Sequence, residues 1–157
     1  ALIIAAREQA EHETGRALIT QTWELVHDVF PEAFDLRKSP IQSVTSIKYL
    51  DGTTGAEQTL APADYLLDKD REPGYAVPGY GKAWPDSYAV PNAVRCRYVC
   101  GYGDASAVPQ AIKQWMLLAI GAMYAQRETI IVGTISASLP DRFWHRLLDP
   151  YRLYEVA

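Results

Sequence analysis

The segment from Pro109 to Arg127 constrains the fold most, because its apolar residues cover nearly the whole circumference of a predicted helix. Spacings of three and four predict one buried face, formed by Ile112, Trp115, Met116, Ala119, Ile120 and Met123. The opposite side is also apolar, with Ala111, Leu118, Ala122 and Ala125. Pro109 suits the first turn of a helix, where its missing N–H costs no hydrogen bond. We therefore expect a central helix over about 109–127 that is covered on two sides.

Length and composition indicate one globular domain spanning residues 1–157. A chain of 157 residues can bury enough surface to fold without metals or disulfides. Hydrophobic residues make up 48% and charged residues 22%, and no apolar run approaches the roughly 18 residues that a membrane span needs. The formal net charge of −4 argues against sequence-independent binding to nucleic acid, which depends on clustered Lys and Arg. We expect neither a membrane nor a nucleic-acid binding partner on these grounds.

The two cysteines, Cys96 and Cys100, lie on a segment of strand character. Four residues of extended chain separate them by about 13 Å. A disulfide needs Cα atoms within about 7 Å, and no His or further Cys lies nearby to complete a zinc site. We expect both to be small apolar core residues, and a reducing cytoplasm is the simpler environment.

An amphipathic helix is predicted at the start of the chain. Leu2, Ile3, Ala6 and Ala10 share one face, and Gly15 supplies a left-handed stop after Thr14. The sequence begins at Ala1 without Met, and no capping residue precedes the helix. We therefore expect the native protein to extend upstream.

Alternating and β-branched segments predict antiparallel strands between about residues 20 and 100. Thr20–Phe30 places Trp23, Leu25, His27 and Val29 on one face. The segment 41–50 and the turn at 51–55 predict a hairpin with the strand that follows. A short strand is expected over Tyr65–Asp68, and another over Ala93–Cys100 with its even-numbered residues on one face.

Prolines and glycines in 71–92 predict a long structured loop without long regular elements. Pro140 is predicted to open a short C-terminal helix that Pro150 ends, with an exposed aromatic tail after it. This helix carries Phe143, Trp144, Leu147 and Leu148. The order of elements predicts an α+β fold, in which a small helical core carries an inserted antiparallel β-rich region.

No motif predicts catalytic, cofactor-binding or metal-binding residues. The run GYGDAS at 101–106 lacks the glycine and lysine spacing of nucleotide loops, and we expect its glycines to form a turn out of a strand. Asp104 or Ser106 is expected to cap the donors that follow. The histidines 12, 27 and 145 lie in different elements, and Asp64, Asp68 and Asp70 miss the calcium-loop pattern. A small enzyme that binds a phosphate ligand stays open as an alternative.

Four collinear blocks resemble the head-tail connector proteins of tailed bacteriophages and prophages, in the branch with a β-rich insertion. They are AREQAEHETGRALITQTWEL, SPIQSVTSIKYLDG, NAVRCRYVCGYGDASAVPQAIKQWMLLAIGAMYAQRE and LLDPYRL. The resemblance implies a structural virion protein, not an enzyme and without cofactors, in a ring of twelve copies beneath the portal that extends the DNA channel. The acidic balance suits a channel through which DNA slides without sequence-specific binding. A tail-completion or stopper protein of the same neck is the alternative.

The resemblance also implies site residues and a location. The inter-subunit helix would use Ile112, Trp115, Leu118, Ala122 and Arg127. Docking to the portal, or to a tail or stopper protein, would use Arg142, Trp144, Tyr151, Arg152 and Tyr154. The protein would lie in the virion neck after assembly in the host cytoplasm, and it can be monomeric until it meets its partner.

Overall fold

The computed structural model describes residues 1–125 and 146–153. Within these residues, two α-helices and seven strands follow one another as α1 (Leu2–Thr14), β1 (Gln21–His27), β2 (Phe34–Leu36), β3 (Ile41–Leu50), β4 (Glu57–Thr59), β5 (Tyr65–Asp68), β6 (Gly74–Pro78), β7 (Val94–Cys100) and α2 (Gln110–Ala125). Short 3-10 helices span Pro62–Asp64 and Asp149–Tyr151. The α+β prediction is confirmed. In the described part of the chain, no helix combines the length and the apolar character that crossing a bilayer requires.

The strands form two antiparallel sheets. One has four strands in the order β1-β7-β3-β4, and the other has three in the order β2-β6-β5. The predicted hairpin is β3–β4, in which Lys48 lies opposite Thr59. The predicted alternation of β7 is confirmed, because Val94, Cys96, Tyr98 and Cys100 are buried while Arg95 and Arg97 are exposed.

The inner faces of both sheets meet in one apolar cluster, which we call the sheet core. It joins Phe34 and Leu36 of β2 to Ile47 of β3 and Cys96 of β7, all fully buried. Phe30 stacks on Trp84 at 5.2 Å between ring centroids, and both rings pack against Phe34. The two cysteines are free and fill this core, as predicted.

A second cluster, the helical core, lies between α1 and α2. Ala6 and Ala10 of α1 are buried with Ile112, Trp115 and Ala119 of α2 in this cluster. Small residues on α1 leave space for the Trp115 ring, which is fully buried. Leu18 and Leu148 complete the cluster from outside the two helices. The buried face predicted for the central helix is therefore the face that holds α2 to its own chain.

The chain crosses between the two cores within one dipeptide. Ala17 packs in the sheet core and the next residue, Leu18, packs in the helical core. Glu11 of α1 fixes this crossing, because its Oε1 accepts hydrogen bonds from Leu18 N at 2.9 Å and from Gln21 Nε2 at 2.6 Å. The crossing places β1 directly after α1.

Two predicted faces are more exposed than the sequence suggested. β1 is an edge strand, paired only with β7 among the described strands, and Trp23 is 43% exposed. On the predicted face, Leu25 and His27 are half-buried and Leu25 packs against the sheet core, so β1 follows the predicted alternation in part. In α1, Ile3 shares the spacing of Ala6 and Ala10 but is 69% exposed, because the cover of the helical core ends before the first turn.

Two strands were not predicted. β2 has three residues between Pro31 and the turn at 37–40, too few for a periodic signal. β6 lies inside the predicted loop of 71–92, where Pro78 ends the strand opposite Tyr65. The rest of that loop is ordered by backbone contacts, such as the bond from Tyr88 N to Leu50 O at 2.8 Å. Prolines are tolerated at strand ends, so their presence did not exclude β6.

The C-terminal prediction is corrected in part. Pro150 does not end a helix, because it lies within the 3-10 helix Asp149–Tyr151, at its first turn. A proline is accepted at that position for the same reason as at the start of an α-helix. Residues 140–145, which include Phe143 and Trp144, lie outside the described residues.

Gly101 and Gly103 form the predicted turn out of β7. Both have positive φ, 112° and 119°. A Cβ atom on Gly101 would overlap the carbonyl oxygen of Ile19, whereas a Cβ on Gly103 would meet only Ala107 Cβ, at 3.7 Å. Gly101 is thus required by both conformation and space, and Gly103 by conformation alone.

The two glycines provide a matched test. Gly103→Ala should lower the free energy of unfolding by about 1–2 kcal/mol, the cost of a positive φ in a residue with a side chain. Gly101→Ala adds overlap with the Ile19 backbone and should cost about 3 kcal/mol or more. Urea denaturation of both variants measures the difference. Equal losses would contradict the close approach between Gly101 and Ile19.

Trp115→Ala should remove the largest side chain of the helical core and lower the free energy of unfolding by about 3–5 kcal/mol. Leu117→Ala, two residues away on the exposed side of α2, is the control and should change it by less than about 0.5 kcal/mol. Thermal and chemical denaturation measure both. A loss below about 1 kcal/mol for Trp115→Ala would contradict its core position.

Candidate assembly interface

Arg16 joins three segments that are distant in sequence. Its guanidinium forms a two-pronged ion pair with Glu72, in the loop before β6, with 2.7 Å between Nη1 and Oε1 and a second, shorter contact between Nη2 and Oε2. Its Nε donates to the carbonyl oxygen of Tyr151 at 2.5 Å. The Arg16 side chain is 8% exposed and that of Glu72 is 40% exposed. This junction ties the end of α1 to the three-stranded sheet and to the C-terminal segment.

The pKa values at this junction follow from burial and charge. Burial opposes the charge of Arg16, but its hydrogen bonds and the nearby Glu72 and Tyr102 raise its pKa overall. The hydrogen bond from Arg16 lowers the pKa of Glu72 despite partial burial. Burial raises the pKa of Tyr102, and the positive charge of Arg16 limits that rise. Both members of the ion pair are therefore charged at neutral pH.

The C-terminal segment 146–153 is attached to the body at several points. Leu148 is fully buried in the helical core. The Nη2 of Arg152 donates to Glu13 Oε2 of α1 at 3.0 Å, and the backbone N of Leu153 donates to Thr14 O at 2.9 Å. The predicted exposed tail is, up to Leu153, a partly buried segment held against the end of α1.

The predicted docking residues are only partly described. Tyr151 is half-buried against the helical core and Arg152 is half-buried beside Glu13. Both therefore have contacts within their own chain that a docking role would have to share or break. Arg142, Trp144 and Tyr154 lie outside the described residues.

The predicted inter-subunit residues of α2 occupy different environments. Ile112 and Trp115 are fully buried inside their own chain, where a neighbouring subunit could not contact them directly. Leu118 and Ala122 are half-buried. Arg127 lies outside the described residues. The expected burial of α2 on two sides is therefore complete at Ile112 and Trp115 and partial at Leu118 and Ala122.

Sequence reasoning missed the apolar residues that α2 does expose. We call Leu117, Gly121 and Tyr124 the outer strip. Leu117 is 60% and Tyr124 61% exposed, and they are spaced by seven residues with Gly121 between them. This spacing puts all three on the side of the helix opposite Trp115. A helical projection centred on Trp115 would have found them, since the strip lies about half a turn away.

In the GYGDAS turn, backbone N–H groups donate to a carboxylate of the same turn. Asp104 Oδ1 accepts hydrogen bonds from the backbone N of Ser106 at 2.9 Å and of Ala107 at 3.3 Å. Asp104 is thus the predicted cap, although it caps the turn before α2 and not the helix itself. These bonds lower its pKa, with the Ser106 hydroxyl as the first cause. A carboxylate of the chain occupies the donors that a phosphate would need, so the turn gives no support to a phosphate site.

The other side chains considered for chemistry, the acids near β5 and the two cysteines, are paired or buried within the chain. Asp64 pairs with Lys82 at 2.6 Å, and Asp68 accepts from the backbone N of Asp70 at 2.9 Å. Within residues 1–125 and 146–153, no three His, Cys, Asp or Glu side chains are grouped to hold a metal ion. Burial raises the pKa of Cys96 to about 12 and that of Cys100 to about 11, so neither thiol is a reactive nucleophile at neutral pH.

Comparison with known proteins gives structural likeness only. No family model and no curated protein matches the chain. A chain from the virion of a native gene transfer agent (GTA) particle matches with a TM-score of 0.79 and 21% identity, covering 99% of this chain and 77% of that chain. The protein has the fold of a GTA particle chain.

Two further likenesses come from the neck of such particles. The neck of the native GTA particle, computed with C12 symmetry, gives a TM-score of 0.78 at 21% identity over 99% of this chain and 82% of that chain. The neck of the empty GTA particle, computed with C6 symmetry, gives a TM-score of 0.76 at 21% identity. This match covers 99% of this chain and 78% of that chain. The GTA-like fold thus includes both the helical layer and the two sheets. At this identity, the likeness establishes the fold.

The Arg16 junction predicts a pH dependence of stability. Glu72 has a folded pKa below its ordinary value of 4.5, so its contribution is complete above pH 4.5 and is lost as the pH falls through the folded pKa. Glu72→Gln leaves Arg16 buried without its counter-charge and should cost on the order of 2 kcal/mol at neutral pH. The difference in the free energy of unfolding between Glu72→Gln and the unchanged protein should shrink as the pH falls below 4.5, the ordinary pKa of Glu72.

Chemical denaturation of both proteins over a pH series measures this difference. Glu57→Gln is the matched control, since it removes the same charge from an exposed pair with Lys48 at 2.8 Å. This control should change stability little at any pH. A Glu72→Gln difference that stays constant from neutral to acidic pH would argue against the ion pair as its source.

Proposed function

We propose that this protein is a structural component of a phage-like particle neck, where copies form a ring that connects the head to the tail and extends the DNA channel. The observation that carries the proposal is the fold, which matches chains of the GTA particle neck over 99% of this chain. The connector-like sequence blocks support the same location independently. Residues 1–157 would act as one connector domain.

The ring is supported by the symmetry of the related necks. The neck of the native GTA particle, matched with a TM-score of 0.78, was computed with C12 symmetry. This symmetry fits the twelve copies implied by the sequence resemblance. A ring of identical chains needs two different surfaces on each copy, one for each neighbour. The exposed apolar residues on both helices are candidates for such surfaces.

The portal is the proposed partner on the head side. The segment from Arg142 to Tyr154 would dock on it, and its described part, 146–153, lies against the end of α1 through Arg16 and Arg152. The net charge of −4 suits a channel wall along which DNA slides without sequence-specific contacts. Assembly in the host cytoplasm would precede location in the neck.

We propose no catalytic role. The thiols are buried, Asp104 fills its own turn, and the acidic residues near β5 pair with Lys82 or with backbone N–H groups. Asp64, Asp68 and Asp104, three of the acids considered for a phosphate-ligand enzyme, are thus engaged by partners in their own chain.

Electron microscopy and native mass measurement test the ring. The full chain mixed with the portal protein of its own particle should form closed rings of twelve copies that stack on the portal, whereas the chain alone can stay monomeric. Binding of the ring to the tail side but not to the portal would assign the chain to the stopper position. A chain that forms no ring in either mixture would contradict the proposed function.

A further inference from the structure

The C-terminal segment binds the end of α1 through groups on successive residues. Arg152 Nη2 donates to Glu13 Oε2 at 3.0 Å, and the next backbone N, that of Leu153, donates to Thr14 O at 2.9 Å. We call residues 13–16 the seat of this segment. Side-chain and backbone contacts together fix the register of the segment on the seat.

Apolar contacts complete the fit of the segment. Leu148 is fully buried in the helical core, and Leu147 and Tyr151 pack against the same cluster. A Cβ atom on Gly15, in the seat, would lie 3.5 Å from Leu153 Cβ, which is an ordinary van der Waals distance. The seat and the helical core thus form a specific binding site for this segment.

The chain that connects the segment to α2 is long. The described part of α2 ends at Ala125 and the segment begins at Arg146, so residues 126–145, twenty in all, lie between them. An extended chain of that length can span about 66 Å. α2 itself, with 16 residues, is about 24 Å long. The connection therefore has the length to place the segment on its own seat or on the seat of an adjacent copy.

Charge favours the segment as the part that joins two copies. Each copy carries a net charge of −4, so copies repel one another over most of their surface. The segment has two arginines, Arg146 and Arg152, against one acid, Asp149, and is therefore positive. Arg152 meets Glu13 of the seat, so this contact supplies attraction between chains that otherwise repel.

We propose that, in the assembled ring, the C-terminal segment of each copy binds the seat of the next copy through the contacts that it makes with its own seat in the single chain. This exchange of an identical element between copies is domain swapping. It gives each copy two different surfaces, the seat and the segment, as a head-to-tail ring requires. The inference rests on the proposed ring function and deepens it by naming the contact between neighbours.

The exchange changes the roles of several residues that the sequence assigned to interfaces. Tyr151 and Arg152 contact the neighbouring copy and not the portal, because the seat uses the carbonyl oxygen of one and the guanidinium of the other. Ile112 and Trp115 stay inside the helical core, in the cluster that receives Leu148.

The exchange depends on how closely the copies are held together. In a single chain the connection keeps the segment near its own seat, at an effective concentration on the order of millimolar. The closed chain and the exchanged ring contain the same contacts, so exchange occurs where copies are concentrated, as on a portal. We therefore expect closed monomers in dilute solution and exchanged rings on the portal.

A disulfide between seat and segment distinguishes the two arrangements. The Cβ separation of 3.5 Å between positions Gly15 and Leu153 suits a disulfide, and the native Cys96 and Cys100 are fully buried. A chain with both Gly15→Cys and Leu153→Cys should form an intrachain disulfide when it is oxidised as a free monomer. Oxidised after assembly on the portal, it should give a ladder of linked chains on a non-reducing gel.

Oxidation before assembly gives a second readout. The chain closed by its own disulfide should form no rings on the portal, and a reductant should restore them. Rings from the closed chain, or only intrachain disulfides in assembled rings, overturn the exchange and leave the ring function intact. Failure of the free chain to form the disulfide overturns the seat contact and with it the exchange. Absence of rings from the unchanged protein with its portal overturns both proposals.

Charge reversal tests the exchange without a side chain at Gly15, where the φ of 72° strains a cysteine. Glu13→Arg and Arg152→Glu each bring like charges together and should lower the yield of rings, whereas the chain with both changes should assemble normally. An equal mixture of the two single variants should form rings again, because in an alternating ring every seat receives a segment of opposite charge. A mixture no better than its components would contradict the exchange, as would normal yields from both single variants.

Discussion

The ion pair between Arg16 and Glu72 links otherwise separate parts of the chain. Arg16 follows α1, Glu72 precedes β6, and Tyr151 belongs to the C-terminal segment. A guanidinium suits this position because its fork of donors can serve a carboxylate and a carbonyl at once. Without a counter-charge the buried guanidinium would be costly, so neutralisation holds Glu72 to Arg16, and the hydrogen bond from Arg16 Nε to Tyr151 O adds the C-terminal segment.

The junction also explains why the helical and sheet cores behave as parts of one structure. The sheet core and the helical core share no described residue, but the chain beside Arg16 supplies Ala17 to one and Leu18 to the other. The Gly101 turn is the second crossing, and its backbone N donates to Pro40 O at 2.8 Å. Tyr102 then enters the helical core beside Arg16. Both crossings meet at the same place, which fixes the position of α2 relative to the sheets.

Strong periodic patterns in the sequence predicted the elements that are covered by the chain itself. β7 and the buried face of α2 followed directly from alternation and from three-and-four spacing, since burial on one side imposes these patterns. β2 has three residues and is too short to show a period, whereas β6 lies among the prolines and glycines of 71–92 that predicted a loop. In β1, Leu25 and His27 are half-buried and Trp23 is exposed, so the predicted alternation is present only in part. The Arg16–Glu72 pair was invisible in sequence because 56 residues separate its members.

The candidate interface was harder to predict than the core. The sequence indicated that α2 is apolar on more than one side, and the structure places Ile112 and Trp115 in the helical core and Leu117 on the exposed side. Leu117 and Leu118 are neighbours of the same type, and only the direction in which α2 packs distinguishes the exposed one from the half-buried one. That direction depends on long-range contacts, with Leu18 and Leu148 closing the core from distant parts of the chain.

The dipeptide Ala17–Leu18 has a consequence for how such chains can change in length. The pair sends a small side chain, Ala17, into the sheet core and a large one, Leu18, into the helical core. Loss or gain of a single residue here would exchange the two, presenting leucine to a space sized for alanine. Surface loops such as 51–55 can change length, whereas the crossing at Ala17–Leu18 cannot gain or lose a residue without placing the wrong side chain in each core. Insertions and deletions in this fold should therefore be tolerated in its surface turns but not in the segment between α1 and β1.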